Sequence, residues 1–262
     1  MSRLFDRYDS AAFARMFQEV GVFESLSAKG FSGFAVAVDD TGLAIPHVRL
    51  SAEKAGHRHR LLDACLRRVV VPVAGRDGDR ARHIAPGGPL DLLFVQWVRE
   101  EDPTAPFAAG RPPLPLQNHP GLGVLRRAFR VAVRIASELG TDGVASQPKF
   151  FHDAVIFYRS RLFLFLDGRE QGRFEALQRD LNGLPLRDAT VAVAGWCVRD
   201  EREQVVRWRP GYQVFPISPR LAAHFHAPQY AADVAAARGA SRFRIDADAL
   251  AAARLQLGTR PA

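Results

Sequence analysis

The chain has 262 residues and a formal net charge of +8, with 47% hydrophobic and 24% charged residues. That length holds one large domain or two modest ones, and the composition excludes a chain disordered throughout. Two cysteines, Cys65 and Cys197, exclude a disulfide framework and, without a Cys-x-x-Cys pair, a structural zinc site. No stretch approaches the roughly 18 apolar residues of a membrane span. Met1–Arg7 holds an early acid and no apolar run, so no secretory signal is expected. The reading is a soluble, reduced, cytoplasmic protein.

Ser10 is placed to cap a helix over residues 11–20 that stops at Gly21. Residues 31–50 read as a hairpin: Phe34, Val36 and Val38 alternate, Asp39-Asp40-Thr41-Gly42 turns the chain, and Leu43–Leu50 returns. Ser51 suits the cap of a helix carrying Leu61, Leu62, Cys65 and Leu66 on one side. Val69–Val71 and Leu90–Val98 have strand character, and the Gly-, Asp- and Arg-rich Gly75–Gly88 between them reads as a loop. Residues 103–120 hold six of the 17 prolines, a spacing that neither a helix nor a central strand tolerates, so an ordered extended loop or a linker is expected.

The clearest helix spans Leu122–Leu139. Arg126, Arg127, Arg130, Arg134 and Glu138 form one narrow polar stripe on an otherwise apolar cylinder, which predicts packing on most of its circumference. Gly140 stops it, Gly143–Ser146 offers a short buried strand, and Pro148 opens a helix reaching Tyr158. Leu162–Leu166 reads as a strand. Residues 90–166 thus alternate strand and helix, an α/β pattern. Beyond them, Arg169–Leu181 predicts an amphipathic helix, Ala189–Val198 and Val205–Ile217 predict strands, and 227–238 and 246–256 predict Ala-rich helices, with the end fraying from Gly258.

Of the 36 basic residues only Lys29, Lys54 and Lys149 are lysines. The 33 arginines are spread along the chain and alternate with acids, as in Arg199-Asp200-Glu201-Arg202, which reads as a solvated, salt-laced surface. A nucleic-acid surface would gather its cations with aromatics placed to stack on bases, so nucleic acid is not the expected partner. An anionic small ligand suits the net charge equally well.

Two segments carry chemistry. In Asn118-His119-Pro120-Gly121-Leu122-Gly123, two glycines precede the start of the long helix, where unpaired amide N–H groups and the positive dipole end form a cradle for a diphosphate. The bland reading is a plain turn. In Phe151–Phe163, Ala154 and Tyr158 share a helix face, and a tyrosine at a helix end is able to keep its hydroxyl free to protonate a leaving thiolate. The bland reading there is a core tyrosine.

Together, strand, glycine loop, long helix, short strand, helix with Ala-x-x-x-Tyr and Phe-containing strand resemble the core of the GNAT N-acetyltransferase superfamily over about residues 88–166. The resemblance implies an α/β fold with a GNAT-like mixed sheet flanked by helices. It implies acetyl-CoA or another acyl-CoA as co-substrate, its pyrophosphate on a loop matched by Gly121 and Gly123, and a small-molecule or peptide amine as acceptor. It places Asn118, Gly121, Leu122, Gly123, Val124 and Leu125 in the acyl-CoA site and Tyr158 as general acid, with Ala154 and Phe163 at family positions. Asn118 stands where Arg or Gln is usual, Phe151 where Asn is usual, and Leu162 where glycine is usual before Phe163.

Residues 1–87 are expected to supply N-terminal elements of the same domain, 88–168 the acyl-CoA-binding core, and 169–262 a C-terminal α+β extension. Glu100, Glu101, Asp102, His119 and His152 are the candidates for a general base, none singled out by pattern. The pairs His57/His59 and His224/His226 lack a third ligand, so no metal is expected. The rival readings are a catalytically inactive CoA-binding or scaffold module of the same fold, and a basic protein associated with nucleic acid.

Overall fold

Leu61, Leu62, Cys65 and Leu66 have the spacing of a helix face, yet they lie on a strand. In the computed structural model, which describes residues 2–39, 46–71, 88–161, 163–209 and 211–258, β1 (Ser32–Asp39), β2 (His47–Lys54) and β3 (His57–Val71) form an antiparallel meander. Ser51 sits inside β2 instead of capping a helix. Ala55 and Gly56, both with positive φ (52° and 78°), make the two-residue turn into β3, the geometry that matches strand twist in tight hairpins. An extra residue, Leu61, bulges where the register slips between Leu50↔Leu62 and Ser51↔Arg60. The bulge breaks the two-residue alternation, and six successive residues, 61–66, are buried. Their period therefore looked helical. Part of the expected turn between β1 and β2, and the loop at 75–87, lie outside the described residues.

The chain divides into two compact units. The first comprises 1–71, 90–108 and 118–146. In it, β4 (Leu90–Glu100) pairs antiparallel with β3 along its length, and β5 (Gly143–Ser146) pairs parallel with β4. The helix α3 (Leu125–Glu138) makes the crossover that parallel strands need. It buries Phe129, Val131, Ala132, Ile135 and Ala136, a narrower apolar face than the sequence suggested. Two helices cover the same unit: α1 (Ser10–Glu19), capped by the Asp9 side chain instead of Ser10, and α2 (Val22–Ser27), which the sequence did not announce. The Tyr8 hydroxyl donates to Glu138 Oε2 at 2.8 Å, tying the N-terminus to the end of α3.

The second unit comprises 72–89, 109–117 and 147–262, so residues 147–168 pack with the C-terminal part. It holds α4 (Phe151–Arg159), β6 (Leu164–Phe165), α5 (Gly168–Asp180), α6 (Leu186–Ala194), β7 (Val198–Asp200), β8 (Gln213–Pro216), α7 (Pro219–His226), α8 (Pro228–Ala240), β9 (Phe243–Ile245) and α9 (Ala247–Gly258). β6 pairs with β8 and β7 with β9, both antiparallel. Two expected strands are corrected. Ala189–Val198 is mostly α6, because its small and β-branched residues are buried all round in a core with Phe151, Phe174 and Leu177. Of Val205–Ile217, only 213–216 forms a strand.

No helix is expected at α7 from periodicity, yet Ser218-Pro219 is a sound start signal, Ser218 Oγ accepting from the Leu221 N–H. It carries His224 and His226, two apart on a helix, and His224 Nε2 meets Leu166 O at 2.8 Å. Glycine permits a close helix contact: a Cβ on Gly172 of α5 would stand 2.2 Å from Val234 O of α8. Among the described residues, no helix is long and apolar enough to cross a membrane.

Candidate functional site

The parallel pairing of β4 with the four-residue β5 is short. Leu92, Leu93 and Phe94 pair with Gly143, Val144 and Ala145, and beyond Phe94 β4 runs on to Glu100 with β3 as its paired neighbour. Just past the last shared pair, Gln96 is an extra residue in the β3–β4 register, between Leu66↔Val95 and Cys65↔Trp97. Such bulges re-aim backbone groups and cluster beside active sites. The Cys65 thiol reaches Gln96 Oε1 at 3.7 Å.

The loop from β4 returns to the same corner. Asp102 N–H donates to Pro120 O at 2.7 Å, and the Asp102 carboxylate is held by Thr104 N–H and Oγ1 at 3.0 and 2.7 Å. Burial pushes the Asp102 pKa up, but the Thr104 hydrogen bonds with Lys54 and Lys29 outweigh it, leaving the group below the usual carboxylate range. Leu122 and Val124 are buried anchors, while Gly121 and Gly123 between and before them face outward. Gly123 adopts φ 74°, and among the described residues no atom beyond its chain neighbours lies within 4 Å of where its Cβ would be. Val124 is the N-cap of α3 and supplies no side-chain cap, so the helix start depends on another acceptor. Leu125 is half-buried, Asn118 is exposed, and Arg126 and Arg127 are exposed on the first turn.

Glu100 is the carboxylate beside that helix start. Its Oε1 lies 3.6 Å from the would-be Cβ of Gly121, and the backbone N–H groups of Val124 and Gly123 act on the carboxylate. Oε2 is buried without a partner among the described residues. Burial pushes its pKa up to about 7, against the opposing pull of those two amides and of Lys29. The structure therefore separates Glu100 from the other acids of the 100–102 run. A cradle suited to an anion by its amides and dipole holds one of the chain's own carboxylates.

Tyr158 belongs to the second unit. It ends α4 against Phe174, edge-on at 5.4 Å, and its hydroxyl donates to Glu175 Oε1 at 2.9 Å. Glu175 also accepts from Gln171 Nε2 and pairs with Arg238. Burial and the Glu175 hydrogen bond push the Tyr158 pKa up to about 12. Ala154 is fully buried and Phe151 packs in the core. His152 lies flat on Phe150 and beside Asp153, burial holding its pKa below the usual imidazole value; its Nδ1 has no partner among the described residues. Among the described residues, no group of three or more His, Cys, Asp or Glu side chains is placed to hold a metal.

No protein-family model matches the chain, and no curated protein matches it in sequence. Among solved structures it is similar to a tyrosine-to-phenylalanine mutant of KacT, at 9% identity and a TM-score of 0.34, over 71% of this chain and 76% of that one. It is similar also to AtaT complexed with acetyl-methionyl-tRNAfMet, at 12% identity and a TM-score of 0.32, over 82% and 88%. The likeness is coarse, and the functional reading rests on the chain's own residues.

Proposed function

We propose that the protein is an acyl-CoA-dependent N-acyltransferase of GNAT-like architecture, acting on a small-molecule or peptide amine. One observation carries the reading: β4 and β5 run parallel over three shared pairs, β4 continues beyond them to Glu100, and the helix that joins them starts behind Gly121 and Gly123 at the end of β4. The stretch of β4 beyond Phe94 is where the extended pantetheine arm would lie, beside the bulge at Gln96 that re-aims the strand's backbone groups. The Gly121–Leu125 amides suit the pyrophosphate at the other end.

Those residues fit a pyrophosphate once Glu100 is protonated or swung aside, because a carboxylate and a diphosphate compete for the same amides. Acyl-CoA binding is therefore coupled to Glu100. In the transfer, the neutral acceptor amine attacks the thioester carbonyl, and the C–N bond forms as the C–S bond breaks. The thiolate takes a proton from the general acid, and the proton lost by the nitrogen passes to solvent, from which the acid is reprotonated. Tyr158 is the donor by its family position, a role that requires its bond to Glu175 to open. The rival reading, a CoA-binding module without catalysis, draws support from that same committed hydroxyl.

The test is calorimetry with acetyl-CoA on the wild type, Glu100→Gln and Gly123→Trp, with melting curves for each. Tighter binding at pH 6 than at pH 8, loss of that dependence in Glu100→Gln and loss of binding in a folded Gly123→Trp are expected. No binding by wild type and Glu100→Gln at either pH overturns the proposal.

A further inference from the structure

An open cavity of about 340 Å³ in the second unit is lined by Lys149, Phe150, Trp196, Arg207, Trp208 and Arg209, with the end of α6 beside them. Its size is within the roughly 300–1,000 Å³ of small-ligand pockets. Among the described residues, no carboxylate lines it, unlike the corner occupied by Glu100.

Its aromatic walls are held in place. Trp208 Nε1 donates to Pro148 O at 3.0 Å, and the indole packs edge-on against Phe151 at 5.6 Å. Phe150 is stacked on His152 with centroids 5.4 Å apart. Trp196 is different. It is 58% exposed, and the Arg207 guanidinium stands 5.5 Å from its ring centroid.

The backbone under Trp196 makes its presence more pointed. Cys197 N–H donates to Ala192 O at 2.8 Å and Trp196 N–H to Val193 O at 3.4 Å, closing α6 with a left-handed residue at φ 60°. Helices that end in this way place glycine at that position, because a bulky side chain is strained there. An indole more than half exposed, on a left-handed residue, is not accounted for by burial or by local backbone preference. Strain retained at such a position is a pointer to function.

We propose that this cavity binds a nucleotide, its base stacked on the Trp196 indole and its phosphate held by Lys149, Arg207 and Arg209. A planar π-face meets the aromatic surface, and guanidinium forks match phosphate oxygens with charge-assisted hydrogen bonds. An inorganic anion alone leaves the indole without a role, and a neutral ring leaves the three cations without one. The same chemistry is presented by a free mononucleotide and by the end of a single strand. The site is independent of the acyltransfer reading.

The experiment is calorimetry with AMP, with a single-stranded RNA octamer and with inorganic phosphate, on wild type, Trp196→Gly and Arg209→Gln at several salt concentrations. Trp196→Gly is expected to weaken nucleotide binding about tenfold or more, while its melting temperature is unchanged or raised because glycine relaxes the turn. Arg209→Gln is expected to weaken binding and to flatten its salt dependence; as a change to an exposed side chain it keeps the test open should the glycine variant misfold. Binding stronger for the octamer than for AMP assigns a strand, and equal binding assigns a free nucleotide. Three results overturn the proposal: no binding of AMP or octamer, phosphate binding as tight as AMP, or unchanged nucleotide affinity in the folded variants.

Discussion

The two units treat anions in opposite ways. In the first, the amides of Gly123 and Val124 attract a negative charge and the chain supplies it from Glu100, at the cost of burying a carboxylate. In the second, Lys149, Arg207 and Arg209 line a cavity that no carboxylate lines among the described residues. An anion site neutralised internally needs protonation or displacement before a ligand enters. An open cationic site needs neither. The first should therefore show affinity that depends on pH near neutrality, and the second affinity that depends mainly on salt.

The largest expected effect lies in the helix packing of the second unit. Gly172→Ala drives a Cβ into the Val234 carbonyl, and separating α5 from α8 is expected to cost about 3 kcal/mol or more. Thermal melting checks it, and an unchanged melting temperature would show that this helix contact yields easily.

Glu100→Gln sharpens the contrast from the other side. The folded-state pKa of Glu100 is raised from 4.5 to about 7, so the native state holds the extra proton in that interval and the wild type loses stability as pH rises through it. The variant is expected to melt higher at pH 8, by about 1–3 kcal/mol of stability, and to flatten this part of the pH profile. Equal stabilities at pH 8 would place the Glu100 carboxylate in water.

Smallest is Tyr158→Phe, which removes a single hydrogen bond to Glu175 and is expected to cost about 1 kcal/mol. With an amine acceptor in hand, a fall in kcat at constant KM would give Tyr158 the proton-donor role, and unchanged turnover would leave it a packing residue.

Much of the fold is legible in short-range pattern. The α3 helix, β5, α4, the β1–β2 hairpin and the proline-rich loop all follow from periodicity and breakers. The failures share a cause. The Leu61 bulge shifts the period of β3, so four leucine and cysteine positions imitate a helix face. Burial on all sides lets Val191 and Val193, strand formers by local preference, sit in a helix.

For the candidate site, the glycines ahead of α3 and the tyrosine ending α4 are visible as spacing. That Glu100, and not Glu101 or Asp102, reaches the helix start depends on strand register and burial, which no local pattern encodes. Arg207-Trp208-Arg209 is a basic and aromatic triplet in plain sight, but it becomes a site only when Trp196 and Lys149, distant along the chain, are brought beside it.

By itself, then, the amino-acid order determined that α1, α3, α4, α5 and α8 are helical and that β1, β4 and β5 are extended, where the chain breaks, and that a glycine-flanked helix start was on offer. Tertiary structure alone decided what fills that helix start and where cations meet aromatics. The reason is physical. Backbone preference acts over a few residues, whereas desolvation and charge pairing depend on neighbours that only packing brings together.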